Sequence, residues 1–62
     1  ELGLASDLNL VYSCLDLRPK SRDYLSQETG LSPEKTAGIL MELEIMDLVR
    51  EIGRHYYVRS RT

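Results

Sequence analysis

Residues 29–33, Thr-Gly-Leu-Ser-Pro, decide the fold of this 62-residue chain because they end one helix and begin another. Gly30 suits the left-handed position that follows a helix, where a residue without a Cβ meets no steric cost. Ser32 is a good N-cap, and Pro33 at the first helical position loses no hydrogen bond. The segment therefore predicts a tight turn between two helices.

Apolar residues repeat at helical spacing on both sides of this turn. The short helix before it is predicted over about residues 22–29, with Ser21 as its N-cap. The longer helix after it is predicted over about residues 33–46. Four of its side chains form the expected inward stripe: Thr36, Ile39, Leu40 and Leu43. Gly38 interrupts this helix at a cost of about 1 kcal/mol relative to Ala, which either close packing or simple tolerance would explain.

A third amphipathic pattern precedes these two helices. From Leu8 onward, apolar residues recur at i, i+3, i+4 and i+7, which predicts a helix over about residues 7–17. Either Ser6 or Asp7 can cap its start. We expect Pro19 to end it, because the residue before a proline is disfavoured in the α region.

The period changes to two after the longest helix. Residues 48–59 are typical of a β-hairpin, and Gly53-Arg54 matches a two-residue type II′ turn. In that register Val49 faces Val58, whereas a loop of three or four residues would shift the pairing. Three helices followed by a hairpin predict one winged helix-turn-helix domain, mainly α, over residues 1–62.

The composition indicates a binding module and argues against an enzyme. The chain is 42% hydrophobic and 29% charged, and no apolar run approaches the ~18 residues of a membrane span. The sequence has no Gly-rich phosphate loop, no paired carboxylate site and no nucleophile with a base. We therefore predict no catalytic residues, no cofactor, no small-molecule substrate and no membrane partner.

A single cysteine, Cys14, cannot form a disulfide within the domain, and no His/Cys cluster surrounds it. No metal site is predicted, and the cysteine usage fits a reducing, cytoplasmic location. The chain opens at Glu1 without an initiator Met, which predicts a C-terminal fragment of a longer protein.

The charge distribution argues against strong binding of nucleic acid. The net charge is −2, whereas dedicated nucleic-acid binders usually carry a basic excess. Residues 32–47 hold one lysine against four carboxylates, while residues 48–62 hold four arginines against one glutamate. The third helix would be the recognition helix, and reading base edges requires Arg, Lys, Asn or Gln. Only Lys35 and Thr36 are candidates there.

The hairpin, or wing, is the better candidate for contacting DNA. Its candidate residues are Arg50, Arg54, His55, Tyr56, Arg59 and Arg61. Arginine binds phosphates and tyrosine stacks on unpaired bases, so a weak, salt-dependent contact is predicted. In the alternative interpretation, Tyr56 or Tyr57 packs on the core and the arginines solvate a strand edge.

Two methionines of the third helix are candidates for a protein contact. Met41 and Met46 are expected to be exposed, and with Ile45 they could form an apolar patch for a partner. Isolated exposed apolar residues are also ordinary on protein surfaces, so both interpretations stay open.

Residues 40–51, LMELEIMDLVRE, followed by GRHYYVR at 53–59, resemble the end of the bacterial DNA-processing protein A family, DprA or Smf. Members typically end with L-x-E-L-E-L-x-G-L-V, a Gly-containing turn and Tyr-Val-Arg. Leu25 with Thr29-Gly30-Leu31 resembles the family's L-A-x-x-T-G-L turn. One departure is Asp47, where the family usually has Gly, although Asp tolerates left-handed geometry better than most residues.

The resemblance covers about residues 8–59. Proteins of this family bind single-stranded DNA in natural transformation, protect it and help load the recombinase RecA. That binding belongs chiefly to a Rossmann-like domain that precedes the winged helix. The resemblance thus implies an accessory domain that contacts RecA or another protein, or that contacts DNA weakly through its wing.

Two other interpretations remain open at this point. One is the DNA-binding domain of a transcription regulator, which would read duplex DNA through the third helix with Lys35 and Thr36 at the groove. The other is an interaction domain that binds no nucleic acid and turns its acidic helix face toward a basic partner.

Overall fold

A computed structural model describes residues 6–60, and within them it contains three helices and three short strands. In chain order these are α1 (Ser6–Ser13), β1 (Lys20–Ser21), α2 (Arg22–Thr29), α3 (Pro33–Ile45), β2 (Val49–Ile52) and β3 (Tyr56–Arg59). Three helices with a small antiparallel sheet form a winged helix, which confirms the predicted fold class.

The first helix ends earlier than its periodicity predicts. It stops at Ser13 rather than near residue 17. Cys14 and Leu15 donate their N–H groups to carbonyls three residues back, at 3.0 and 3.1 Å, so the last turn tightens and the helix ends. Pro19 is therefore not what ends it, and that prediction was wrong.

Asp16 shapes the loop that leads from α1 to β1. Its carboxylate accepts hydrogen bonds from the Arg18 N–H at 2.8 Å and from the Lys20 ammonium at 3.1 Å. Because both bonds favour the charged form, the pKa of Asp16 lies below its usual value of 3.8. The Asp16 carboxylate thus ties together the short segment that leads into β1.

The turn between α2 and α3 has the caps that residues 29–33 predict. Gly30 ends α2 with a φ of 77°. Ser32 begins α3, and its hydroxyl accepts the Lys35 N–H, with Pro33 in the first turn. Ser21 caps α2 in the same way. These local signals account for the placement of both helices.

The end of α3 places a special demand on residue 47. The Leu48 N–H donates to the Leu43 carbonyl and the Asp47 N–H donates to the Glu44 carbonyl, each at 2.9 Å. This pair of hydrogen bonds is a Schellman motif, which needs a residue of positive φ. Asp47 supplies it with a φ of 63°. Aspartate therefore adopts here the conformation that glycine takes without strain.

We expect Asp47→Gly to leave the free energy of unfolding unchanged or to raise it by up to about 1 kcal/mol. Glycine removes the left-handed strain, and this gain is partly offset because glycine gives the unfolded chain more conformational freedom. Asp47→Val should lower it by about 1–2 kcal/mol, because a β-branched side chain fits the left-handed region much less well than aspartate, whose short polar side chain can hydrogen-bond locally. Urea denaturation of the three chains measures both changes. Equal destabilisation by the two variants would show that φ is not the reason for the effect.

The core lies between the helices and the inner face of the sheet. Its buried side chains are Val11, Leu15, Leu25, Ile39, Leu40, Leu43, Val49 and Tyr57. Helix α3 packs against α1, α2 and β2. It also contributes more of these buried side chains than any other element. Burying one such aliphatic side chain stabilises the fold by about 1.5–3 kcal/mol.

The sheet has the strand order β1-β3-β2. Val49 pairs with Arg59 and Ile52 pairs with Tyr56, so three residues form the loop and the predicted pairing of Val49 with Val58 was wrong by one position. The extra loop residue is His55, which adopts a φ of 64°. Strand β1 was not predicted, because two residues are too few to show a period.

Within the part of the chain that the structure describes, no packing contact requires a glycine at position 38. Apart from Gly38 itself, its two chain neighbours and the adjacent backbone of its own helix, no atom there lies within 4 Å of the position that a Cβ on Gly38 would occupy. The close-packing explanation for this glycine is therefore excluded among residues 6–60. The molecule tolerates a helix-weakening residue on an exposed surface.

Gly38→Ala is accordingly expected to raise the free energy of unfolding by about 1 kcal/mol, because it restores helix propensity without a clash. Gly30→Ala is the matched control and should lower it, because Gly30 has a positive φ. Thermal and urea unfolding followed by circular dichroism measure both. A destabilised Gly38→Ala variant would contradict this account of the helix.

Candidate nucleic-acid interface

The tip of the wing is held by its own side chains. Its loop runs from Gly53 to His55, and both residues have positive φ values, 68° and 64°. The His55 N–H donates to the Glu51 carboxylate at 2.9 Å, and the His55 Nδ1 lies 3.9 Å from the same oxygen. The hairpin therefore presents His55 and its neighbour Arg54 in a defined loop rather than on a free end.

The start of α2 is fastened to this tip. Ser21 pairs with Tyr56 in the sheet, and the Arg22 N–H donates to the His55 carbonyl at 2.9 Å. A cleft of about 270 Å³ lies between the two elements. We call it the α2–wing cleft, and its lining residues are Ser21, Arg22, Asp23, Arg54, His55 and Tyr56.

The α2–wing cleft offers cationic side chains and an aromatic ring. Within residues 6–60, neither the Arg22 nor the Arg54 guanidinium has a hydrogen bond or an ion pair. Asp23 adds one opposing carboxylate. The backbone contributes little, because the Arg22 N–H and the Tyr24 N–H are taken by His55 and Ser21. Any anion in the cleft would be bound mainly by side chains.

The two tyrosines of the wing differ in exposure and role. Tyr56 is 48% exposed, whereas Tyr57 is 6% exposed and belongs to the core. Burial raises the pKa of the Tyr57 phenol, with a smaller contribution from the Glu51 charge, so its ring stays neutral. Only Tyr56 presents a ring beside the arginines of the cleft.

The structure separates the wing residues that the sequence grouped together. Arg54, His55 and Tyr56 meet in the α2–wing cleft, but Arg50 borders a different groove. That second groove, of about 230 Å³, is lined by Leu17, Pro19, Arg50, Ile52, Val58 and Arg59. Arg61 lies outside the described residues.

Arg22 is the cleft residue that sequence reasoning missed. It stands at the start of a helix rather than in the hairpin, and the short pairing of β1 with β3 brings it to the wing. The only available signal was its charge next to the Ser21 cap, and that says nothing about a distant hairpin.

Arg59, which was predicted to contact DNA, makes its contacts within the domain. Its guanidinium donates to the Tyr12 carbonyl at 3.0 Å and lies 4.1 Å above the Tyr12 ring centroid. Its N–H also donates to the Asp16 carbonyl at 2.8 Å. This arginine joins β3 to the end of α1, so the structure corrects its assignment as a DNA contact.

Arg59→Ala is expected to lower the free energy of unfolding by about 1–3 kcal/mol, because it removes a charged hydrogen bond and a cation–π contact. Arg50→Ala removes the same charge from an exposed position and should change it by less than about 0.5 kcal/mol. Urea denaturation compares the two variants. If Arg59→Ala were as harmless as Arg50→Ala, the structural role of Arg59 would be refuted.

The third helix does not offer the base contacts predicted for it. Thr36 has none of its surface exposed, so its side chain cannot reach a base edge, and its assignment as a groove residue is corrected. Lys35 is exposed, but its ammonium lies 3.0 Å from the Asp7 carboxylate of α1. The part of α3 that would enter a major groove is therefore short of free donors.

The two predicted partner residues of α3 are both on the surface. Met41 is 60% exposed and Met46 is 44% exposed. Ile45, at 78%, is more exposed than either of them. The solvent side of α3 thus carries apolar side chains where a base-reading helix carries polar ones.

Residues 6–60 contain no cluster of three His, Cys, Asp or Glu residues that could hold a metal ion. No helix among them is long and apolar enough to cross a membrane.

The family model described as the DprA winged helix domain matches residues 1–53. Neither the search of curated proteins nor the search of solved structures found a match.

Proposed function

The chain belongs to the DprA winged helix domain family, and we propose that it is an accessory domain of a DprA-like protein that binds single-stranded DNA in natural transformation and recombination. In this proposal the domain binds rather than catalyses. It adds a weak contact to DNA through its wing and a contact to RecA or another protein through a separate surface.

One observation carries the DNA part of this proposal. Arg22, Arg54 and His55 line a single cleft together with the half-exposed ring of Tyr56. Guanidinium groups bind phosphates, and an aromatic ring stacks on a base that is not paired. This combination favours a single strand over a duplex, whose bases are already stacked.

The contact is expected to be weak because few charges take part. Two or three neutralised phosphates on a single strand, at about −0.7 per phosphate on a log–log salt plot, would reduce affinity about 15- to 70-fold between ~20 and ~150 mM salt. Asp23 in the same cleft opposes the binding of an anion. Such a surface can assist another DNA-binding domain but cannot replace it.

The alternative, a regulator domain that reads duplex DNA through α3, has less support. Thr36 is buried and Lys35 is paired with Asp7. The remaining exposed charges of α3 are carboxylates, namely Glu34, Glu42 and Glu44. Carboxylates repel the phosphates that flank any base they could read.

Fluorescence anisotropy with a labelled oligothymidine and a labelled duplex tests the proposal. The variant Arg22→Ala/Arg54→Ala should bind the oligothymidine at least tenfold more weakly at ~20 mM salt and show a flatter salt dependence. Arg50→Ala is the control for charge outside the cleft and should cost less than threefold. Tyr56→Ser should weaken oligothymidine binding more than duplex binding.

Each other result contradicts a defined part of the proposal. Equal losses in the Arg50 and cleft variants would mean that general charge, not the cleft, binds DNA. Binding of one duplex sequence that persists at ~150 mM salt would favour the regulator. No binding at ~20 mM salt would remove the DNA contact altogether.

A further inference from the structure

The solvent-facing side of α3 combines apolar side chains in one line. Gly38, Met41 and Ile45 are spaced three and four residues apart, on the side of the helix opposite the buried stripe. Ile45 is 78% exposed and Met41 is 60% exposed. We call this surface the α3 outer face, and it comprises Glu34, Gly38, Met41, Glu42, Glu44, Ile45 and Met46.

Carboxylates surround this apolar line. Among the residues that the structure describes, the side chains of Glu34, Glu42 and Glu44 have no hydrogen bond and no ion pair. The only cation of α3, Lys35, is bound to Asp7. The α3 outer face is therefore apolar in its centre and carries carboxylates without an ion pair at its margins.

Gly38 supplies an independent observation on the same surface. It weakens the helix, yet among residues 6–60 nothing approaches it closely enough to require a glycine. A groove of about 540 Å³ borders it, lined in part by Leu8 of α1 and Glu42 of α3. A missing side chain beside a groove lets the backbone of another molecule come close.

The charges decide which occupant fits. The carboxylates of this surface would repel the phosphates of a nucleic acid. A second copy, related by a two-fold axis, would place two anionic faces against each other. A helix with apolar side chains on one stripe and Lys or Arg beside it matches both features of the surface.

From this complementarity, we infer that the α3 outer face docks a basic, amphipathic helical segment of a partner protein. Apolar side chains of the partner pack on Met41 and Ile45, and methionine adapts readily to the shape of its neighbours. Cationic side chains of the partner pair with Glu42 and Glu44. The inference stands apart from the DNA contact, because the α3 outer face and the α2–wing cleft share no residue.

Amide NMR spectra of the isotope-labelled chain, titrated with three synthetic peptides, test this inference. The probe is a 14-residue helix of Leu and Lys with one apolar stripe. One control replaces every Lys with Glu, and the other replaces every Leu with Ser. Only the Leu/Lys peptide is expected to bind, and its shifts should concentrate on residues 34–46.

Matched variants separate docking from general adhesion. Met41→Ser/Ile45→Ser should weaken binding of the Leu/Lys peptide at least tenfold, whereas Leu17→Ser, which alters another exposed leucine (58%), should leave it unchanged. Glu42→Gln/Glu44→Gln should weaken it about fivefold, and Glu28→Gln on α2 should not. Gly38→Ala should weaken it about threefold although the helix itself becomes more stable.

Three results would overturn the inference. The first is equal binding of the Leu/Glu peptide, which would remove the role of charge. The second is a loss in the Leu17 or Glu28 control as large as that in the α3 variants. The third is concentration-dependent self-association through residues 34–46, which would make a second copy the occupant. Circular dichroism of each variant checks that the exposed substitutions leave the fold intact.

Discussion

The buried stripe of α3 is the constraint on which the rest of this small domain depends. Helices α1 and α2 and strand β2 all pack against it, and Leu40 and Leu43 are completely shielded from solvent. Thr36 shares the stripe although its hydroxyl has no hydrogen-bond partner among residues 6–60. A buried hydroxyl without a partner lowers the stability of the fold by about 1–3 kcal/mol. The packing of the apolar side chains must therefore be what turns this face of α3 toward the core. The same orientation decides which residues of α3 face the solvent.

Local signals explain how much of the fold could be predicted. Ser21, Gly30 and Ser32 act within a few residues of themselves, so the limits of α2 and the start of α3 could be read directly. The end of α1 shows no such signal in the sequence, because the Tyr12 carbonyl at its last turn also binds a side chain from the far end of the chain. Arg59, for example, bonds to the Tyr12 and Asp16 carbonyls more than forty residues away. No periodicity in the sequence contains that information.

The arginines show the same limit for the candidate site. Composition alone indicated a basic wing, but it could not tell which guanidinium groups are free. Arg54 lines the α2–wing cleft, whereas Arg59 lies over the Tyr12 ring and is used by the fold. Arg22 joins the cleft only because a two-residue strand brings α2 to the wing. Residue type predicted the chemistry, and tertiary contacts decided which residues supply it.

The division of charge between α3 and the wing fits a domain that works as part of a larger assembly. In the proposed DNA contact, a surface with two free arginines and one opposing carboxylate would bind a phosphate chain weakly by itself. Tethered to another DNA-binding domain, it would act at an effective concentration in the millimolar range, where a weak contact is occupied much of the time. The carboxylates of α3 would repel the phosphates of a nucleic acid, so this helix is not expected to add to the proposed DNA contact. A weak cationic cleft and a separate anionic helix face therefore favour simultaneous contact with DNA and protein over independent recognition of DNA.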